Sequence, residues 1–141
     1  MELDHILRWF EHGDMELATA HHTFETQHPK PLNIICYLCQ QSAEKYFKGY
    51  LIYHTEEEAP HIHNLTKLRA MCSQRDRRFD KIAGQCNYLN PYAVQPRYPD
   101  EIEIDERLTK IALRSADEIK AFEPLQQTRS KLQEELSDEN Q

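Results

Sequence analysis

The stretch NIICYLCQQSAEKYFKGYLIYH, residues 33–54, contains no proline and has apolar residues at both ends. This pattern predicts a helix that begins at Leu32 or Asn33, ends near His54 and is largely buried. Polar and charged residues nevertheless interrupt its middle, at Gln41, Glu44 and Lys48 among others. The question that decides both fold and function is why a buried helix carries these groups.

Four further helices are predicted, one before this stretch and three after it. The first runs from about Leu3 to Gln27, and Pro29 and Pro31 end it. Asn64 is the expected N-cap of a short third helix, since its side-chain oxygen can accept a backbone amide hydrogen. The spacing of apolar residues predicts two more, from Phe79 to about Leu89 and from Ile104 to Phe122.

The remaining segments lack a helical apolar stripe or contain helix-breaking residues. NPYAVQPRYPDE, residues 90–101, has three prolines and is predicted to be a loop. Residues 125–141 carry apolar side chains only at Leu125, Leu132 and Leu136, which predicts a frayed helix or disorder. We therefore expect an all-α, up-and-down bundle of four to five helices over residues 1–124 and a polar tail over residues 125–141.

Length and composition exclude several classes of protein. The 141 residues suffice for one core. The chain has only three glycines, and this low number disfavours a turn-rich β-sandwich or barrel. No apolar run is long enough for a membrane span and the first residues do not resemble a signal peptide, so we expect a cytoplasmic protein with reduced cysteines. A formal charge of −7 argues against nonspecific attraction to nucleic acid.

Two interpretations of the polar residues on the second helix remain open. A helix turns by about 100° per residue, so Gln41, Glu44 and Lys48 fall on one line and Lys45 lies beside it. In the first interpretation this line faces water, and Glu44 and Lys48 form an ordinary i, i+4 ion pair. In the second, apolar neighbours such as Leu51 indicate burial, and a buried Glu44 requires a nearby cation.

The second interpretation predicts a polar pocket beside a groove or dimer interface. Its expected ligand-binding residues, which would hold a phosphate or a base, are Gln41, Glu44, Lys45, Lys48, His63, Arg97 and Tyr98. Prolines on both sides of Arg97 and Tyr98 restrict the backbone, which favours a guanidinium placed to bind phosphate or carboxylate and a tyrosine placed to stack on a base. The alternative is a loop pinned to the bundle, with Arg97 paired to Glu44.

Other residue clusters give weaker indications. RDRR, residues 75–78, is the only basic concentration and is either a solvated turn or a contact for RNA phosphate or an acidic partner. His61 and His63 lack the further ligands that a zinc site needs, so no metal and no cofactor are expected. His5 and His54 are predicted to lie on the surface.

Three motifs in order resemble those of the HEPN domain family. They are Gln41, Ala43, Glu44 and Lys45 on the second helix, then His63–Asn64–Leu65, then Arg97–Tyr98–Pro99–Asp100. The resemblance covers about residues 3–123. It implies a helical bundle, often a homodimer, that is associated with nucleotides or RNA.

The resemblance also implies a partner and raises the question of catalysis. Relatives commonly work beside a minimal nucleotidyltransferase as the two halves of a toxin–antitoxin pair, and many carry a metal-independent ribonuclease site in which His follows Arg after four to six residues. Here only three residues separate Arg8 from His12. We therefore expect a binding and partner module. The alternatives are a ribonuclease with an atypical site that uses His63 and Arg97, or a dimeric scaffold without a ligand.

Overall fold

The structure is a computed structural model that describes residues 2–94 and 103–141, and within these residues it contains six α-helices and no β-strand. Two 3₁₀ turns, Arg77–Ile82 and Asn90–Tyr92, flank the fourth helix. The α-helices are α1 (Leu3–Thr26), α2 (Leu32–Thr55), α3 (Leu65–Arg75), α4 (Ala83–Leu89), α5 (Glu106–Lys120) and α6 (Glu123–Glu139). The prediction of an all-α bundle is confirmed.

Helix α2 is the centre of the bundle. It contacts each of the other five α-helices of the described chain, and most of its residues from Cys39 onward are buried. Its inner side chains, among them Ile35, Phe47 and Ile52, are enclosed on all sides. The prediction of a largely buried helix over residues 33–54 is therefore confirmed, and its buried residues include the polar Gln40, Glu44 and Lys48.

Helices α1 and α2 pack antiparallel and unusually closely. A Cβ atom placed on Gly13 would lie 2.7 Å from the Tyr46 ring, and one on Gly49 would lie 2.8 Å from the Phe10 ring. The Ser42 hydroxyl donates a hydrogen bond of 2.9 Å to the Gly13 carbonyl across the same contact. The glycines are needed here because their missing side chains allow the two aromatic rings to lie against the opposite backbone.

Two asparagines hold the start of α3. The Asn64 side chain accepts a hydrogen bond of 3.1 Å from the Lys67 amide, which confirms the predicted N-cap. Asn90 accepts a second one, of 2.9 Å, from the Leu65 amide. The segment that leads into α3, including His63, is thereby fixed to the bundle at its helical end.

The fourth predicted helix, Phe79 to Leu89, is only partly α-helical. A 3₁₀ turn occupies Arg77–Ile82, and α-helical hydrogen bonding begins at Ala83. The Asp76 carboxylate starts this turn because it accepts a hydrogen bond of 3.0 Å from the Arg78 amide and also binds the Arg78 guanidinium. The turn therefore begins before the predicted helix start.

The C-terminal segment differs from the predicted frayed or disordered tail. Residues 123–139 form α6, which buries Leu125, Thr128 and Leu132. These residues recur at steps of three and four and form a narrow stripe against α1 and α2. The prediction counted only leucines and so missed the contribution of Thr128, which is buried although it is polar.

A polar cluster also ties α6 to the bundle. The Arg129 guanidinium binds both carboxylate oxygens of Asp14 on α1, and the Tyr46 hydroxyl donates a 2.6 Å hydrogen bond to the same carboxylate. Burial alone would raise the pKa of Asp14, but the hydrogen bonds from Arg129 and Tyr46 and the charges of Arg129 and Lys120 leave this pKa below its ordinary value. Helices α1, α2 and α6 therefore share one anchoring point.

No helix within residues 2–94 and 103–141 combines the length and apolar character needed to cross a lipid bilayer. The proline-rich loop predicted over residues 90–101 lies partly outside the described residues, and its first residues form the 3₁₀ turn Asn90–Tyr92.

Candidate functional site

Three polar residues of α2 form a buried stripe at four-residue spacing. Gln40, Glu44 and Lys48 are each almost fully enclosed, although they carry an amide, a carboxylate and an ammonium group. Lys48 Nζ lies 3.0 Å from Glu44 Oε2, and the two side chains are 7% and 4% exposed. Of the two interpretations that the sequence left open, the structure shows the buried one, and the cation beside Glu44 is Lys48.

His63 covers the stripe from outside. It reaches Glu44 from the segment before α3, with Nδ1 3.1 Å from Oε2 and 3.3 Å from Oε1. The Gln40 amide donates a hydrogen bond of 3.0 Å to the His63 carbonyl and lies 3.4 Å from Glu44 Oε1. The His63 side chain nevertheless remains 71% exposed. The cluster is therefore buried at Glu44 and open to solvent at the imidazole.

The contact with the Glu44 carboxylate determines which ring nitrogen of His63 faces a ligand. A carboxylate only accepts hydrogen bonds, so this geometry favours the His63 tautomer in which Nδ1 carries the proton. The other ring nitrogen, Nε2, is then the acceptor. At Nε2, a histidine held in this way can accept a hydrogen bond or a proton from a hydroxyl group, and it can donate to a phosphate oxygen when both ring nitrogens carry protons.

A cavity of about 310 Å³ lies beside Lys48, and Glu44 and His63 are not among its lining residues. Lys48 lines it, which brings the cation of the pair within reach of anything that enters. Trp9 supplies an aromatic wall, and His5 and His61 supply two further imidazoles. Its remaining lining residues are Ile52, Glu58, Ala59 and Pro60. The volume lies at the lower end of the range of about 300–1,000 Å³ typical of small-molecule sites.

The structure gathers some of the predicted residues and separates others. Gln41 donates a hydrogen bond of 2.7 Å to the Gln40 side chain, so it touches the cluster indirectly. Lys45 instead pairs with Glu16 of α1 at 2.8 Å and does not bind Glu44. Arg97 and Tyr98 lie outside the described residues.

Sequence reasoning missed Gln40 and the cavity beside it. The motif that resembles the HEPN family begins at Gln41 and does not include its neighbour Gln40. The helical period would have identified Gln40, because it is the residue four positions before Glu44, as Lys48 is four positions after it. The contribution of His5 and Trp9 could not be predicted in this way, because it depends on how α1 crosses α2.

The cysteines contribute no site chemistry in this structure. All four are buried free thiols, and burial raises the pKa of each. Within the part of the chain that the structure describes, no three His, Cys, Asp or Glu side chains converge as metal ligands would.

Comparison with known proteins assigns the family. The family model of the HEPN domain matches residues 6–126, which include α1 from Ile6 onward, all of helices α2 to α5 and the whole Glu44 cluster. The chain matches no curated protein. Since the family match covers most of the 141 residues, and the described fold is a helical bundle, the chain belongs to the HEPN domain family.

Proposed function

We propose that this protein is a nucleotide- or RNA-binding partner module and that its ligand binds over the Glu44–Lys48 pair. Membership of the HEPN domain family supports association with nucleotides or RNA at the level of the family. The ligand, its position and the protein partner belong to the proposal.

The observation that carries the proposal is the buried Glu44–Lys48 pair with an exposed His63 above it and a cavity beside it. A buried ion pair is seldom more stabilising than apolar residues of the same volume, so stability alone gives little reason to keep one in the central helix. The cavity offers the groups that a nucleotide needs. Lys48 and the imidazoles suit a phosphate, and Trp9 provides a surface on which a base can stack.

We further propose that the module acts as a homodimer with a minimal nucleotidyltransferase, in a toxin–antitoxin-like pair. Support comes from the resemblance of the three sequence motifs to those of the HEPN family. Light scattering of the purified protein tests the dimer. Co-expression with the product of a neighbouring nucleotidyltransferase gene, followed by copurification, tests the partner.

The single tryptophan of the chain gives a direct test of ligand binding. Trp9 lines the cavity, so AMP or a short single-stranded oligoribonucleotide that enters it is expected to change tryptophan fluorescence saturably. Removing the exposed imidazole in His63→Ala should weaken that binding about tenfold. The matched control is His12→Ala, which removes an exposed histidine of α1 that is not part of the cluster.

Two results would contradict the proposal. One is the absence of any saturable fluorescence change with either probe, which favours the ligand-free scaffold. The other is equal binding by the wild type and His63→Ala, which places the ligand elsewhere.

The orientation of His63 favours one second candidate function, a metal-independent ribonuclease. Glu44 holds Nδ1 and leaves Nε2 facing outward, as a general base or acid requires. The test is incubation with total RNA in chelator for the wild type, His63→Ala and Arg97→Ala. Cleavage that disappears in both variants supports the enzyme, whereas RNA left intact by the wild type supports the binding module.

A further inference from the structure

A second cavity, of about 220 Å³, lies on a different part of the bundle. It is formed where the C-terminal ends of α2 and α3 meet the first half of α6. Tyr50 and His54 come from α2, and Arg75 ends α3. The remaining lining residues are Asp76, Arg78, Pro124, Gln127, Thr128 and Lys131. None of them belongs to the Glu44 cluster or its cavity.

The lining of this cavity is positively charged, although the chain as a whole carries −7. It contains three cations, Arg75, Arg78 and Lys131, and one carboxylate, Asp76. That carboxylate is already engaged, because Arg78 binds it through two nitrogens, and the same guanidinium donates a hydrogen bond of 2.9 Å to Gln127. Two positive charges are therefore left without a counterion in the lining.

Arg75 and Lys131 are the two cations with unused donors. Neither forms an ion pair with any residue in the ranges 2–94 and 103–141. Arg75 uses one nitrogen to donate a 2.7 Å hydrogen bond to the His54 carbonyl, which fixes the guanidinium at the rim. Its other N–H groups and the Lys131 ammonium remain for a ligand.

His54 also lines this cavity. His54 was predicted to lie on the surface, but it is half-buried, and its Nε2 lies 2.9 Å from the Thr128 hydroxyl. Burial lowers its pKa, and the charges of Arg75 and Lys131 lower it further against a small opposing effect of Asp76. Like charges brought together are unfavourable, and an anion bound between them relieves that repulsion.

We propose that this cavity binds a phosphoryl group between Arg75 and Lys131. A guanidinium and an ammonium are the side chains that bind phosphate best. The volume is below the usual range for sites that enclose a complete small molecule, so a single phosphoryl group fits the cavity better than a whole nucleotide does. The sequence RDRR thus contributes to an anion site that is completed by α6, the helix that sequence analysis assigned to a frayed or disordered tail.

An NMR titration tests the site with defined probes. The probes are inorganic phosphate and one short oligoribonucleotide, with and without a 5′-phosphate. We expect saturable shifts of the amide signals of Gln127 and Thr128. Lys131→Gln and Arg75→Gln should each weaken binding about tenfold, since each removes one charged hydrogen-bond donor. Lys110→Gln, which removes an exposed lysine of α5 outside this cavity, is the matched control and should bind as the wild type does.

The probes also separate the sources of the phosphoryl group. Binding of inorganic phosphate and the 5′-phosphorylated oligoribonucleotide, but not of the unphosphorylated one, indicates a terminal or free phosphate. Binding of both oligoribonucleotides, lost in the two variants, indicates a backbone phosphate. The proposal is overturned if no probe shifts these amides saturably, or if Lys131→Gln and Arg75→Gln bind like the control. None of these variants alters His63, so this result is independent of the proposed nucleotide site.

Discussion

Replacing the two charges of the α2 stripe, singly and together, tests the energetic reasoning about the Glu44–Lys48 pair. The variants are Lys48→Met, Glu44→Met and the double variant. Methionine is close in size to both side chains, so the substitutions remove charge with little change in packing.

The structure sets the expected magnitudes. Both side chains are less than a tenth exposed and their charged atoms lie 3.0 Å apart. Removal of one partner from such a pair destabilises a protein by about 3–5 kcal/mol, because the other charge is left buried and unpaired. In Lys48→Met, Gln40 and His63 still contact the carboxylate, so we expect the lower end, about 3 kcal/mol. In Glu44→Met, Lys48 can reach the adjacent cavity, and we expect about 2 kcal/mol.

The double variant is the decisive member of the series. With both charges gone no unpaired ion remains, so we expect its stability to lie within about 1 kcal/mol of the wild type. The sum of the two single losses should then exceed the loss in the double variant by at least about 4 kcal/mol.

Urea unfolding followed by circular dichroism measures all four proteins. In thermal unfolding, about 3 kcal/mol corresponds to a fall in Tm of roughly 6–12 °C for a domain of this size. The reasoning is refuted if Lys48→Met costs less than about 1 kcal/mol, which would indicate a solvated pair, or if the losses of the single variants simply add.

Two further perturbations address the contacts that hold the bundle together. Gly49→Ala should destabilise the protein by about 1–2 kcal/mol in urea unfolding, because the new methyl group meets the Phe10 ring and this outweighs the gain in helix propensity. Gly84→Ala is the matched control: its Cβ meets nothing within 4 Å, so we expect a gain of about 0.5–1 kcal/mol, and equal effects at the two glycines would contradict the close packing of α1 and α2. Arg129→Met should cost about 1–2 kcal/mol at neutral pH, since its pairing with Asp14 is partly exposed to solvent. Because the pKa of Asp14 is lowered in the folded state, its stabilisation is present above the ordinary value of 3.8 and is lost as the pH falls through the folded pKa. The difference between wild type and Arg129→Met in urea unfolding should therefore shrink on acidification, and a difference independent of pH would contradict this role.

The sequence alone was sufficient to predict the helices whose apolar residues repeat over several turns. The bounds of α1 and α2 lie within one residue of the prediction, since prolines mark the junction between them and long apolar stripes define their buried faces. The burial of Glu44 was also predictable, because apolar neighbours flank it on the same helix and a buried carboxylate requires a cation. The sequence left the cation open among Lys45, Lys48 and Arg97, and the structure shows that it is Lys48, four residues along the helix.

The remaining features depend on contacts between distant segments. Helix α6 has few leucines, and its order comes from Thr128 in the core and from the pairing of Arg129 with Asp14, which is 115 residues away in sequence. Composition cannot predict such a pair. The basic cavity could not be predicted for the same reason, since its third lining cation, Lys131, joins Arg75 and Arg78 only when α6 packs against α1 and α2.

The central claim is that the imidazole over the Glu44–Lys48 pair faces a bound nucleotide. NMR observation of the histidine side chains while AMP is added measures this most directly. We predict that the ring signals of His63 shift saturably and those of His12 do not. His63 signals that stay unchanged while other residues report AMP binding would contradict the claim.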